Sequence, residues 1–196
     1  MIIFFGAAGS GKTTQGRILS EKFGWKWLSV GQVLRDTGDF ADTLKSGELV
    51  DDETVIRLMN AQIEKAEAEG MDVILDGYPR DVAQAEWMVN NIADKIDGAI
   101  ILDVPKEELI KRIEGRGRAD DTKEAVERRF AIFEQNICSI LPLLKSKNVK
   151  ITTVDGVGTF EEVTERLVSA VRELVPDATE QETDVNNGVW ENSYGE

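Results

Sequence analysis

The chain has 196 residues, of which 41% are hydrophobic, and a formal net charge of −14 at pH 7, which fits one folded domain with a small inserted subdomain. Histidine is absent, which excludes imidazole acid–base catalysis and the usual zinc sites. The acidic balance argues against non-specific binding to nucleic acid or to a membrane surface, and no apolar run is long enough to span a membrane.

The first element is an apolar strand at Ile2–Phe5, with no basic leader and no small-residue cleavage site. We therefore expect a buried first strand and a cytoplasmic protein, in agreement with a single cysteine, Cys138, which allows no internal disulfide. Four further short apolar runs predict strands at Trp27–Val30, Val73–Asp76, Ala99–Val104 and Ile151–Val154. Because helical patterns separate them, we predict a three-layer α/β fold in which helices cover both faces of a five-stranded parallel sheet.

Two of the helices between and after these strands are well defined by their apolar spacing. One includes Val126, Phe130 and Leu144, and its aromatic residues are interpreted as core; Pro142 should kink or end it nearby. The last helix is predicted at Thr159–Leu174.

The composition changes at residue 176. From there to residue 196 the chain has several acidic residues and no Lys or Arg, which predicts a flexible acidic tail after a folded domain over residues 1–175. Trp190 and Tyr194 offer a docking motif as the alternative to a solvated extension.

Residues 6–13, GAAGSGKT, match the phosphate-binding pattern G-x-x-x-x-G-K-S/T in full. The motif stands directly after the first strand and before a helical pattern, as the mechanism requires. Its glycines let the backbone N–H groups face phosphate oxygens, Lys12 reaches the β- and γ-phosphates, and the Thr13 hydroxyl reaches Mg²⁺. GTPases, motor ATPases and kinases all use such a loop, although the N-K-x-D segment by which GTPases bind guanine is absent.

A second informative segment is VILDGYPR at residues 73–80, with Gln84 four residues later. Asp76 ends a strand at the carboxyl edge of the sheet, where it can hold a water of the Mg²⁺ shell. The following Gly-Tyr-Pro turn aims Arg80 at phosphate.

Together, D-G-Y-P-R-x-x-x-Q and the preceding G-x-x-G-S-G-K-x-T-Q resemble the adenylate kinases and their nucleoside monophosphate kinase relatives. Four more segments are similar to that family in the same order: SVGQVLR at 29–35, GELVDD at 47–52, GRGRADD at 115–121 and VDG at 154–156. The resemblance implies a P-loop NTPase fold with a small monophosphate-binding insertion at about residues 29–60. It also implies a short lid at about residues 116–122, which lacks the four cysteines of the zinc-carrying version.

The resemblance also implies the substrate contacts. The ATP-binding set would be Gly9, Ser10, Gly11, Lys12, Thr13, Thr14, Arg116 and Gly158. The AMP-binding set would be Val30, Arg35, Glu48, Leu49, Val50, Gly77, Tyr78, Pro79, Arg80, Gln84, Arg118 and Arg129. Arg118 and Arg129 would lie between the two nucleotides.

Phosphoryl transfer spreads negative charge over the equatorial oxygens, and guanidinium groups neutralise it well. The cationic candidates for catalysis are Lys12, Arg80, Arg112, Arg116, Arg118 and Arg129, with Asp120 and Asp121 orienting the arginines by ion pairs. Arg128 is interpreted as a solvated residue.

The predicted reaction is reversible transfer from Mg-ATP to AMP, giving two ADP, by a monomer with Mg²⁺ as cofactor at Thr13 and Asp76. The carboxamide of Gln84 favours AMP because it presents a donor and an acceptor to adenine. Thr13 stands where the family usually has Gly, and we expect it to coordinate Mg²⁺ directly. Val30 replaces a hydroxyl residue and Gln32 an acid, so UMP, CMP and GMP remain alternative acceptors. A nucleotide-dependent assembly ATPase is the alternative from another class.

Overall fold

The computed structural model describes residues 1–46, 50–116 and 121–181. Its strands are β1 (Ile2–Phe5), β2 (Lys26–Ser29), β3 (Val73–Asp76), β4 (Gly98–Asp103) and β5 (Lys150–Asp155). They form one sheet in the order β2-β3-β1-β4-β5, and every neighbouring pair is parallel. The predicted five-stranded parallel sheet is thereby confirmed.

Helices connect the strands and follow the last of them. They are α1 (Lys12–Phe23), α2 (Val30–Thr37), α3 (Ala41–Ser46), α4 (Asp52–Ala68), α5 (Val82–Asn91), α6 (Lys106–Arg116), α7 (Lys123–Ser146) and α8 (Phe160–Leu174), with a short 3₁₀ turn at Ala93–Lys95. None of the helices in the described ranges is long and apolar enough to cross a membrane.

The ends of the elements differ slightly from the sequence predictions. β1 and β3 match, whereas β2 lies one residue earlier than predicted because Val30 already begins α2. β4 begins at Gly98, since this residue pairs with both Ile2 and Lys150 in the ladder, a contact that apolar spacing does not reveal. α7 continues four residues beyond Pro142, because buried Ile140 and Leu144 on either side of the proline hold the helix against the core.

Alternate residues of the sheet supply two separate apolar cores. In β1, Ile3 and Phe5 face a core formed with α2, α4, α5 and the end of α7, whereas Ile2 and Phe4 face one formed with α1 and α8. All four side chains are at most 4% exposed. Burial on both faces explains why the strands are almost continuously apolar.

A third, smaller apolar cluster lies under the phosphate-binding loop. Val104, Leu109 and Ile113 of the β4–α6 region pack with Val126 and Phe130 of α7, and Ala7 and Ala8 of the loop rest against this group. α6 and α7 therefore support the loop from one side.

The start of the expected tail is packed against the domain. The backbone N–H of Gln181 donates to the carbonyl of Lys22 at the end of α1 (2.7 Å), and Glu180 forms ion pairs with Lys22 and Arg172. Ala178 packs on the α1–α8 core. Residues 182–196 lie outside the described part of the chain, so the flexible tail stays a prediction.

Candidate active site

The phosphate-binding loop lies at the carboxyl edge of the sheet, between β1 and α1. β1 is the central strand and β3 is its neighbour, with Phe4 in register with Asp76. The loop that leaves β1 and the acid that ends β3 are therefore side by side, as expected for a ligand site of an open parallel sheet.

Two glycines allow the loop to curl. Gly9 has φ +82°, and a Cβ added to it would lie 2.8 Å from the carbonyl oxygen of Leu109. Gly11 has φ +94° and is the N-cap of α1, whose first N–H groups consequently face the loop. Lys12 Nζ donates to the carbonyl of Ala7 across the loop at 3.1 Å. Backbone donors, a helix N-terminus and an ammonium group thus share one anion-binding concavity.

Thr13 and Asp76 meet beside this loop. Thr13 Oγ1 donates to Asp76 Oδ2 at 2.9 Å, and Asp76 is only 3% exposed. A hydroxyl and a buried carboxylate are hard oxygen donors of the type that Mg²⁺ prefers. Within the described ranges no three His, Cys, Asp or Glu side chains form a metal cage, so this pair suits an ion whose other ligands are phosphate and water. The predicted metal residues therefore fit Mg²⁺.

Arg80 is held in the turn that follows β3. Its Nε donates to the carbonyl of Gly77 at 2.8 Å. Burial lowers the pKa of the Arg80 guanidinium, while the negative charge of Asp76 raises it. The positive charges of Arg129 and Arg35 lower that pKa further. A Cβ added to Gly31 would lie 3.3 Å from Arg35 Nη1 and 3.7 Å from Arg80 Nη2, so these two guanidinium groups converge. Arg129 is near enough for its charge to act on Arg80.

Arg129 of α7 forms the ion pair that the sequence predicted with Asp121. Their side chains meet at 3.0 Å, and that of Asp121 is only 4% exposed. Arg128 is exposed, as we interpreted it. Asp120 lies outside the described residues.

Arg112 bridges three elements around the loop. Its Nε donates to Glu108 at 2.9 Å, and its Nη atoms donate to the carbonyls of Ser10 (3.4 Å) and Gly156 (3.1 Å). The guanidinium of Arg112 therefore braces the outside of the phosphate-binding loop against the end of β5. Its catalytic role stays a prediction.

Gln84, the predicted base reader, is 1% exposed and fully hydrogen bonded. Its Oε1 accepts from the backbone N–H of Arg80, and its Nε2 donates to Asp52 and Asp81, all at 2.9 Å. Burial, and then the bond to Asp52, raise the pKa of Asp81 to about 6. In this structure the carboxamide is thus engaged by the protein itself.

Three other predicted AMP-binding residues have buried side chains. Val30, Val50 and Tyr78 belong to the core that α2, α4 and α5 share, and Tyr78 is 0% exposed. Burial raises the pKa of the Tyr78 phenol, to which nearby Asp81 and Asp52 contribute. In this structure these side chains therefore pack in the core, and their contact with AMP stays a prediction.

The remaining predicted residues divide into two groups. Gly158 lies in the exposed loop after β5, near Arg166, which donates to the carbonyls of Asp155 and Val157. Three residues lie beside the arginines and the loop already described: Thr14 in the first turn of α1, Pro79, and Gly77, which has φ +73°. Glu48, Leu49, Arg118 and the side chain of Arg116 lie outside the described part of the chain.

Sequence reasoning missed several side chains that organise the site. Asp52 and Asp81 bind Gln84, and Asn136 of α7 donates to the carbonyl of Arg80 at 3.0 Å. Gln15, which follows the loop motif, donates to the carbonyl of Phe160 and accepts from Thr164, so α1 is tied to α8. Asp52, Asp81 and Gln15 stand inside segments already recognised, but nothing in the spacing marks Asn136 or Thr164.

Comparison with known proteins agrees with this geometry. The adenylate kinase family model matches residues 4–149. The chain is 34% identical over 188 residues to an adenylate kinase of Phocaeicola vulgatus, covering 88% of this chain and 98% of the relative. An adenylate kinase of Mycolicibacterium smegmatis is 36% identical over 87% of this chain and 98% of its own, and one of Thermus thermophilus is 32% identical over 87% and 96%. The chain therefore belongs to the adenylate kinase family, as the resemblance of its motifs indicated.

Proposed function

We propose that this protein is an ATP:AMP phosphotransferase, which moves the γ-phosphoryl group of ATP to AMP and gives two ADP. The observation that carries the proposal is the group of Arg80, Arg35 and Arg129 beside the phosphate-binding loop. Asp76 and Asp121 offset part of this positive charge, and an acceptor phosphate would offset the rest. A hydrolase that uses water as acceptor has no need for such a second anion site.

The described residues can stabilise the transfer without covalent chemistry. The backbone N–H groups of the loop and Lys12 hold the donor phosphates, while Arg80 and Arg35 face the acceptor phosphate. Arg129, fixed by Asp121, neutralises charge on the transferring group. Alignment of the two nucleotides supplies much of the remaining rate enhancement.

We propose that Thr13 and Asp76 hold Mg²⁺, Asp76 through water. The ion would neutralise charge on the donor phosphates when bound. Replacement of Thr13 by Val keeps the shape and removes the hydroxyl, so the Mg²⁺ concentration for half-maximal activity should rise several-fold, whereas Thr13→Ser should stay close to wild type. Equal Mg²⁺ dependence in all three proteins would contradict a metal role for Thr13.

AMP is the proposed acceptor because Gln84 lies directly beside Arg80. Its Oε1 atom retains a second lone pair beyond its bond to Arg80, whereas its Nε2 donates to Asp52 and Asp81, so a donor contact to adenine would replace one of those two bonds. We also propose that the enzyme acts as a monomer in the cytoplasm, in agreement with its one cysteine, Cys138, which is free and exposed.

A coupled assay with Mg-ATP tests the proposal. AMP, UMP, CMP and GMP are offered in parallel, with a reaction that lacks acceptor and one that contains a chelator in excess over Mg²⁺. Turnover with AMP that disappears with the chelator is expected. Turnover only with another monophosphate would keep the mechanism and change the acceptor, and loss of ATP without acceptor would overturn the proposal in favour of an ATPase.

A further inference from the structure

Asn136 lies on α7, two helical turns beyond Arg129. Seven residues correspond to about two turns and about 10 Å along the axis, so the two side chains project from the same face. α7 packs along α5, the helix that follows the Arg80 turn. One helix therefore presents both a phosphate-binding arginine and an amide toward the acceptor side.

The amide of Asn136 contacts the backbone of Arg80 rather than a ligand. Its Nδ2 donates to the Arg80 carbonyl at 3.0 Å, across 56 residues of sequence. On the other side of the same residue, the Arg80 N–H donates to Gln84 Oε1 at 2.9 Å. The peptide groups on both sides of the Arg80 Cα are thus fixed by side chains from two different helices.

This clamp determines where the guanidinium lies. Arg80 Nε donates to the carbonyl of Gly77 in the same turn, at 2.8 Å, so the side chain is attached to the turn that carries it. A movement of the turn would consequently move the guanidinium. Asp76 attracts Arg80 whereas Arg35 and Arg129 repel it, and the held backbone fixes where the guanidinium lies among these charges.

We propose that Asn136 is a positioning residue, which holds the Arg80 turn at a fixed distance from Arg129 so that both guanidinium groups are ready for the acceptor phosphate. This inference rests on the proposed function, because it assigns the acceptor to the Arg80 side. Asn136 itself touches no reacting atom. It acts through the carbonyl of Arg80.

The test compares three substitutions of Asn136. Asn136→Ala removes the amide, Asn136→Asp keeps its size but replaces the donor with an acceptor, and Asn136→Gln keeps the donor on a longer side chain. The matched control is Gln135→Ala, because Gln135 is an exposed amide residue one position earlier on the same helix. Steady-state constants are measured for AMP and ATP separately, together with the melting temperature.

We expect Asn136→Ala and Asn136→Asp to lower kcat/KM for AMP about tenfold, the size of one lost hydrogen bond. KM for ATP should change less than about twofold, since the donor side does not depend on this bond. Asn136→Gln should recover most of the loss. Gln135→Ala should match wild type.

A double mutant tests whether Asn136 acts on AMP binding through Arg80. In an Arg80→Ala background, Asn136→Ala should cause no further loss of AMP affinity measured by calorimetry, because the group that it positions is gone. The proposal is overturned if Asn136→Asp behaves as wild type, if the AMP and ATP constants fall together, or if the two losses add. A wild-type protein that does not phosphorylate AMP would instead contradict the proposed function, so the two failures are distinguishable.

Discussion

At the scale of single residues, Arg80 is a cation whose charge the protein compensates only in part. Its guanidinium is partly buried in the turn after β3 and lies near other arginines, and both conditions disfavour the charged form. The negative charge of Asp76 favours the charged form of Arg80 and offsets these two effects in part. A bound phosphate would complete the compensation, so this arrangement is more favourable with substrate than without it.

We expect Arg80→Ala to reduce kcat by about 10²–10³-fold, because it removes a donor aimed at developing negative charge. The melting temperature should change little, since the variant removes the repulsion of Arg35 and Arg129 together with the attraction of Asp76 and the bond to Gly77. Arg80→Lys should recover little activity, because an ammonium lacks the planar fork. Near-normal turnover in Arg80→Ala would contradict its assignment.

The carboxyl group of Asp81 makes the free energy of unfolding depend on pH. In the folded protein the pKa of its carboxyl is about 6, compared with an ordinary value of 3.8, chiefly because of burial and the bond to Asp52. Between these two values the folded state keeps the proton and the unfolded state has lost it. The free energy of unfolding therefore falls as the pH rises through this window.

Asp81→Asn mimics the protonated form and keeps a good N-cap for α5. At neutral pH we expect the variant to be more stable than wild type by about 1 kcal/mol, after allowance for solvent screening of this half-buried group. The difference should shrink as the pH falls toward 4, in urea unfolding followed at several pH values. Asp177→Asn, at an exposed position, is the control and should leave the pH profile unchanged. A constant difference at every pH would show that Asp81 does not titrate in this window.

At the scale of elements, α8 has an N-terminus that its sequence specifies. Thr159 Oγ1 accepts from the N–H of Glu162 (3.3 Å), and Glu162 Oε2 accepts from the N–H of Thr159 (2.8 Å), which completes a capping box. This cap ends the loop that contains Gly158. The same feature therefore starts a helix and shapes the loop of a predicted ATP-binding residue.

Thr159→Ala should lower the free energy of unfolding by about 1 kcal/mol, because it removes the side-chain half of the box. Thr159 is exposed, so the change creates no cavity. Thr159→Ser retains the hydroxyl and should unfold at nearly the wild-type urea concentration. Equal midpoints for the Ala and Ser variants would indicate that water replaces the cap.

At the scale of the whole molecule, the last described segment joins the domain rather than leaving it. Glu180 pairs with Arg172 and Lys22, and Gln181 bonds to the end of α1. All of these contacts are on the α1–α8 side, away from the acceptor arginines.

Two truncations separate the packed segment from the rest of the tail. A chain that ends at Gln181 should keep wild-type stability and activity. A chain that ends at Val175 should keep activity but lose about 1–2 kcal/mol of stability, because it gives up the hydrogen bond, the ion pairs and the packing of Ala178. Loss of activity in the chain that ends at Gln181 would instead favour a functional role for residues 182–196.

Much of this protein follows from its sequence because the decisive patterns are local. The strand, phosphate-binding loop and helix at the N-terminus are contiguous, as are Asp76, the turn and Arg80, so their chemistry was predictable. The family, the parallel sheet and the kinase reaction were recognised from these segments, and the comparisons and the fold agree.

Only the tertiary structure decided how these segments are held. Gln84 meets Asp52 across 32 residues, Asn136 meets Arg80 across 56, and Thr164 meets Gln15 across 149. Periodicity reports which face of one helix or strand is apolar, but it carries no information on which polar side chains of two packed helices meet. Those contacts depend on how the helices cross the sheet, and they fix the positions of the residues that the motifs name.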